Sequence, residues 1–234
     1  MEFAGVKALV TGANRGLGKQ FVDGLVARGA EVYAAARNPE TIERRPGVTP
    51  IRLDLTDPAS IAAAVEQAGD ITVLINNAGV ASGASLLTGD LAEARADFDT
   101  NFWGTLDVTR AFADTLERNG GGTILNVLSV LSWVSLPSSG AYSASKSAAW
   151  SMTNALRVEL AEKKIAVAAL HVGYMDTDMA GHIEPSGKTD PAIVARLALD
   201  GIAAGEHEIL ADDLSNQVRA GLAGGVAALY PQLA

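Results

Sequence analysis

Short β-branched runs alternate with longer alanine-rich runs of helical period along almost the whole chain. Alternation of this kind builds βαβ units, and βαβ units make a parallel sheet. Strands are expected over Lys7–Thr11, Glu31–Ala35, Thr49–Asp54, Val73–Asn76, Thr123–Leu128 and Ala166–Val172, with a weaker one over Glu208–Ala211. Helices are expected over Gly16–Arg28, Ala59–Ala68, Leu91–Leu116, Tyr142–Glu162 and Pro191–Ala203. Within the fourth, apolar residues recur at Ala148, Met152, Ala155, Leu156 and Leu160, close to the helical period. No repeat, low-complexity tract or linker divides the chain, so residues 1–234 read as one α/β domain. Ala180–Asp190, with its Gly, Pro, Ser and Lys, reads as a mobile loop inside that domain.

Composition narrows the function classes. Hydrophobic residues make up 48% of the chain and charged ones 19%, enough apolar surface for a core and too much for disorder. A net charge of −9 argues against wrapping a nucleic-acid backbone, although a local basic pocket can still take a phosphorylated cofactor. There are no cysteines, which removes disulfides, thiolate nucleophiles and Cys-ligated zinc. His171, His182 and His207 lack metal-ligand spacing, so no metal is expected. The N-terminus has no basic n-region, and no apolar run approaches the roughly 20 residues that span a bilayer. A cytoplasmic protein, with neither membrane nor nucleic acid as partner, is the expectation.

The first strand runs into Thr11-Gly12-Ala13-Asn14-Arg15-Gly16-Leu17-Gly18, and a helix follows. Glycines there permit positive φ and let backbone N–H groups approach a pyrophosphate at the positive end of the helix. The spacing is G-x-x-x-G-x-G, not the commoner G-x-G-x-x-G. This turn resembles the cofactor turn of the short-chain dehydrogenase/reductase family. Three further segments resemble that family in the same order. They are Asn76-Asn77-Ala78-Gly79, Asn101 with Gly104, and Ser129 followed by Tyr142-Ser-Ala-Ser-Lys146. The resemblance runs from Val6 to Thr177 and implies a Rossmann-type doubly wound parallel sheet. It also implies cofactor contacts from Gly12, Asn14, Arg15, Gly16, Leu17, Gly18, Asn77, Ala78, Gly79, Tyr142 and Lys146. Gly173, Met175 and Thr177 resemble the family's P-G-x-x-x-T segment around the nicotinamide, with Val172 in place of the proline. Asp54 resembles the residue at the adenine amino group, and Leu55 would pack beside it.

Reducing a carbonyl needs a hydride at carbon, from the cofactor, and a proton at oxygen, from the protein. Tyr142 is a proton donor of the right kind if its hydroxyl is acidified, and an ammonium nearby favours phenolate. Tyr142 and Lys146 lie four apart and share a helix face. Ser129 ends the fifth strand, at the carboxyl edge where open α/β sheets bind ligands, and its hydroxyl can hold the substrate oxygen. Ser132 competes in the same loop; the family pattern favours Ser129. The resemblance gives Asn101 a water that relays protons to the lysine. A buried, helix-kinking asparagine is the structural alternative.

The second strand ends Ala34-Ala35-Ala36-Arg37-Asn38, without the acid that accepts from a ribose 2′-hydroxyl. Arg37, with Arg15, can instead pair with a 2′-phosphate, so NADP(H) is the expected cofactor. The expected reaction interconverts a small hydrophobic ketone or aldehyde and its alcohol. The pocket would draw on Leu86, Leu131, Trp133, Val134, Tyr174, Met179 and Ile183, with a substrate loop over about 174–190. Asp176 and Asp178 read as loop-solvating charges or helix caps. A non-catalytic NADP(H) sensor of the same fold is the alternative, disfavoured by the four site residues occurring together. Epimerase or dehydratase chemistry ranks lower, because few residues follow Thr177. The tail lacks the V-D-G-G strand of the acyl-carrier-protein reductases, which speaks against that role. The long helices after Leu91 and after Tyr142, with Phe102, Trp103 and Trp150, point to a homodimer or homotetramer.

Overall fold

The computed structural model describes residues 1–181 and 184–233. Its centre is a seven-stranded, all-parallel sheet in the order β3-β2-β1-β4-β5-β6-β7. The strands are β1 Lys7–Thr11, β2 Glu31–Ala36, β3 Val48–Arg52, β4 Val73–Asn76, β5 Gly122–Val127, β6 Ile165–His171 and β7 Glu208–Leu210. Each lies within two residues of its expected bounds. β1 pairs with β2 through Leu9↔Tyr33 and with β4 through Leu9↔Leu74, so the chain reverses its direction of travel across the sheet at β1. That switch opens a crevice at the carboxyl ends of β1 and β4, where ligands of doubly wound sheets bind.

Both faces are covered by helices, which is why the strands are apolar on both sides. On one face α1 (Gly16–Ala27) and α6 (Pro191–Ala204) bury Phe21, Leu25, Val194 and Leu199 against Val10, Val32 and Leu170. On the other, α2 (Pro58–Gln67), α4 (Thr105–Arg118) and α5 (Gly140–Glu159) bury Ile61, Phe112, Leu116 and Leu156 against Leu9, Leu74 and Ile124. Asp57, Asp90, Asp190 and Asp212 accept backbone N–H bonds at the starts of α2, α3 (Leu91–Phe98), α6 and α7 (Asp213–Gly221), satisfying donors the helices leave open. A short α8 (Gly225–Leu229) completes the tail.

The expected single helix from Leu91 to Leu116 is interrupted. A π turn over Asp99–Gly104 separates α3 from α4. Gly104 passes so close to Leu55 that a Cβ there would lie 2.7 Å from the Leu55 Cβ, so only glycine fits. The loop after β6 carries a short 3-10 turn over Asp178–Ala180 and another over Pro185–Gly187. Ile183, expected in the substrate pocket, and His182 lie outside the described residues. No helix among the described residues is long and apolar enough to cross a membrane.

Candidate active site

The glycine turn and the Asn76–Gly79 segment are fastened into one floor. Thr11 Oγ1 accepts from the N–H groups of Asn77 (3.0 Å) and Ala78 (2.9 Å). Asn77 Nδ2 returns to the Thr11 carbonyl at 2.8 Å and the Gly12 carbonyl at 3.2 Å. Gly12 takes φ +64, and a Cβ on it would lie 2.9 Å from Ala78 Cα. A Cβ on Gly18 would lie 2.1 Å from the Gly12 carbonyl oxygen. The glycines therefore close the turn onto α1 and onto the neighbouring strand end. Asn76 faces the other way: its Nδ2 donates to Asn126 Oδ1 (2.9 Å) and Thr109 Oγ1 (3.0 Å), tying β4 to β5 and α4.

Arg15 occupies the N-cap of α1, and no side chain caps that helix. Its first-turn N–H groups, with the helix dipole behind them, are available to an anion. Asn14 and Gly16 are half-buried beside them, whereas the Leu17 side chain is in the core. Arg15 and Arg37 are exposed at the crevice rim. These residues fit the pyrophosphate and 2′-phosphate of a dinucleotide. Asp54 accepts from the Thr56 N–H (3.0 Å) and hydroxyl (2.8 Å). The Thr56 N–H chiefly holds the carboxyl below its ordinary range, and Arg37 and Arg52 add to that against burial. Leu55 is buried beneath it.

From β6, Gly173 donates its N–H to Asp212 Oδ2 at 2.6 Å, and Asp212 Oδ1 takes the Ser215 N–H at 2.7 Å, so the start of α7 anchors this loop. Met175 bridges to Thr189. The Thr177 methyl would lie 3.3 Å from a Cβ on Gly16, which places the loop against the glycine turn. Asp178 forms an ion pair with Arg15 at 2.9 Å, and Asp176 one with Lys188 at 3.4 Å. Both aspartates stay largely in water, at 76% and 73% exposure, as loop charges, and each also faces a cation.

Ser129, Tyr142, Lys146 and Asn101 come together where β4 and β5 end. The Ser129 hydroxyl faces Tyr142 and acts to lower its pKa, while Ser129 Oγ also accepts from the Leu131 N–H at 3.1 Å. Ser132 Oγ takes the Ser129 N–H at 3.3 Å, and Ser129 caps the same turn, so both serines share one capping box, with Ser129 the one that acts on Tyr142. Lys146 is buried, 5.8 Å from the Tyr142 ring centroid, and donates to the Val127 carbonyl at 2.9 Å. Asn101 Oδ1 takes the Val80 N–H at 3.0 Å, while Nδ2 donates to the Val80 carbonyl (2.9 Å) and Ser145 Oγ (3.0 Å). A Cβ on Gly79 would lie 3.0 Å from Asn101 Oδ1, a tight approach that would push the amide aside by a few tenths of an ångström. The structural role of Asn101, stapling the π turn to the loop after β4, is visible in these contacts.

Two electrostatic facts depart from the sequence expectation. Burial pushes the Tyr142 hydroxyl up to about 12, against the Ser129 hydrogen bond and with Asp97 and Tyr174 adding to the rise. Burial also pulls the Lys146 ammonium down to about 8, opposed by Asp97. The lysine does not acidify the phenol here, because it is turned to the Val127 carbonyl and is itself readily neutralised. Sequence reasoning passed over Asp97. It is fully buried and accepts from the Ser82 N–H (3.0 Å) and hydroxyl (2.8 Å), fixing the loop that borders Tyr142. Trp133 also differs from expectation. It is buried and stacked on His171 with centroids 3.8 Å apart, so it belongs to the interior rather than to a pocket wall. Of the other residues expected around the substrate, Leu86 is 62% and Met179 51% exposed, and Leu131 is buried. Among the described residues no group of His, Asp or Glu side chains could hold a metal.

The short chain dehydrogenase family profile matches residues 6–187. Carbonyl reductase (NADPH) 2 of Sus scrofa is 32% identical, over 84% of this chain and 81% of its own length. A short chain dehydrogenase from Burkholderia cenocepacia J2315, solved in complex with NADP, is 38% identical. It superposes with a TM-score of 0.95 over 100% of this chain and 99% of its own. A short chain dehydrogenase/reductase from Burkholderia phymatum, solved with NAD, is 26% identical with a TM-score of 0.86, over 95% of each chain.

Proposed function

The chain belongs to the short chain dehydrogenase family, and from that premise we propose that it is an NADP(H)-dependent reductase of small hydrophobic ketones or aldehydes, acting reversibly on the alcohols. The observation that carries this reading is the side-chain pairing of Ser129 with Tyr142, beside a buried Lys146 and at the mouth of the dinucleotide crevice. NADP(H) is favoured over NAD(H) by Arg15 and Arg37 at the rim, by the lack of an acid at the end of β2, and by the NADP held in the Burkholderia cenocepacia relative.

When bound, the cofactor supplies the hydride that reaches the substrate carbon. The chain's residues handle the oxygen. Ser129 Oγ donates to the substrate oxygen and orients it toward Tyr142. With a hydroxyl pushed up to about 12, Tyr142 stays protonated at neutral pH and is a ready acid toward a forming alkoxide. The Lys146 ammonium, at about 8, restores that proton and is replenished along the side of the site that Asn101 holds open. Asn101 Oδ1 keeps a second lone pair for a water on that path, so its stapling and relay roles are compatible.

Tyr142→Phe is expected to abolish turnover of a panel of neutral ketones, read by NADPH absorbance, while leaving NADPH binding intact. Near-normal turnover would sink the mechanism. A homodimer through α3, α4 and α5 belongs to the same proposal. Trp103 is 54% exposed, Leu91 59% and Val158 78%, apolar side chains that a partner subunit would cover.

A further inference from the structure

We infer that His171 is a positioning residue for Ser129, its ring Nδ1–H donating to the Ser129 carbonyl and fixing the strand end from which the serine hydroxyl projects. The inference rests on the reading of Ser129 as the group that holds the substrate oxygen.

His171 is the last residue of β6 and has no solvent exposure. Its Nδ1 lies 3.2 Å from the Ser129 carbonyl oxygen. A carbonyl only accepts, so Nδ1 carries the proton and the tautomer is set by this contact. Nε2 is then bare. It has no hydrogen-bond partner among the described residues, and Glu208 Oε1, at 3.8 Å, is too far to supply one. Burial keeps the ring neutral, pushing its pKa down to about 4. The Ser129 carbonyl and Glu208 oppose that shift, while Arg157 and Arg219 reinforce it.

The ring is held in its plane by Trp133, stacked on it at 3.8 Å with 17° between the planes. Trp133 has the Arg219 guanidinium 5.7 Å from its ring, and Arg219 pairs with Glu208 at 3.2 Å. Glu208 also takes the Trp150 Nε1–H at 3.3 Å. A continuous set of contacts therefore runs from α7 and β7 to the serine. The Ser129 carbonyl takes a second bond from the Ser132 N–H at 3.0 Å, and the next N–H, of Val130, pairs with the Val172 carbonyl at 3.0 Å. With both carbonyl lone pairs engaged, the peptide plane after Ser129 cannot rotate, and the direction of its Cα–Cβ bond is set.

Two measurements test this. A ¹⁵N-histidine spectrum of the cofactor-free wild-type protein at neutral pH reads the tautomer without any substrate; the His171 signal is identified by its loss in His171→Asn. The expected result is a protonated Nδ1 and a bare Nε2. An Nε2–H tautomer or an imidazolium overturns the inference. The second measurement compares His171→Asn, which keeps a donor near the Nδ1 position and loses the stack, with His171→Phe, which keeps the stack and loses the donor. Both are titrated with NADPH to verify the fold. In NADPH-dependent reduction of a neutral aromatic ketone, His171→Phe is expected to lose at least about tenfold in kcat with little change in NADPH affinity. His171→Asn is expected to stay within about threefold of wild type. Equal losses in both, or a fully active His171→Phe, mean that the ring only packs, and the inference falls. A wild-type protein that reduces no ketone sinks the proposed function instead, and the tautomer then decides the contact with Ser129.

Discussion

Asp178→Asn isolates the charge that competes for Arg15. In the cofactor-free protein the Arg15 guanidinium is paired with Asp178 at 2.9 Å, so a 2′-phosphate must share it or displace the carboxylate. Both side chains are largely in water, 70% and 76% exposed, and the pair is screened accordingly. Exposed pairs of this kind are worth about 0.2–1 kcal/mol. Releasing Arg15 should therefore tighten NADPH binding by about 1.4- to fivefold. NADH has no 2′-phosphate and gains nothing from a freed Arg15. Removing a negative charge near the crevice also eases the approach of any dinucleotide, and that part acts on both cofactors alike. The readout is thus the ratio of NADPH to NADH dissociation constants, measured by fluorescence titration at low ionic strength and again at high. The ratio is expected to shift toward NADPH, and the shift to shrink with salt. Equal tightening of both cofactors, or no change in Arg15-containing protein, would refute the assignment of Arg15 to the phosphate.

Three further outcomes are expected. Arg37→Asp should reverse the preference toward NAD(H), since a charge-assisted pair to the 2′-phosphate is worth about 1.5–3 kcal/mol; cofactor titration decides it. The kcat for ketone reduction should hold steady below about pH 8 and fall above it. Lys146 there loses the proton that restores Tyr142, while the phenol, near 12, keeps its own. A profile without a descending limb near that pH would contradict the relay. Sedimentation at micromolar concentration should give a dimer, and Trp103→Glu with Val158→Glu should shift it to monomer; a wild-type monomer would remove the proposed interface.

What the sequence made legible was local chemistry with short-range constraints. The glycine spacing between Gly12 and Gly18 reports a turn that must close on α1, and the structure shows a Cβ at Gly18 meeting the Gly12 carbonyl. The four-residue step from Tyr142 to Lys146 reports a shared helix face, and the Lys146 Nζ lies 5.8 Å from the Tyr142 ring centroid. The illegible features depend on partners distant along the chain. Arg15 meets Asp178 across 163 residues, and His171 reaches Ser129 across 42. Trp133 sits close to Ser129 in sequence, which suggests a pocket wall, yet its packing partner is on β6. The direction of the Tyr142 shift was also out of reach, because burial, not the neighbouring charge, dominates it. Desolvation is a property of the folded interior and leaves no mark on residue spacing.

The π turn at Asp99–Gly104 bears on how such a site can arise and be lost. A π turn is a helix holding one residue more than its length requires. Deleting a single residue there would restore an ordinary helix, and α4 would still present Phe112 and Leu116 to the same core. Asn101, however, would swing by about 100° around the axis and lose Val80. The fold would survive a lesion that erases one corner of the candidate site. Read in reverse, one inserted residue would turn an asparagine on a plain packing helix toward the candidate site.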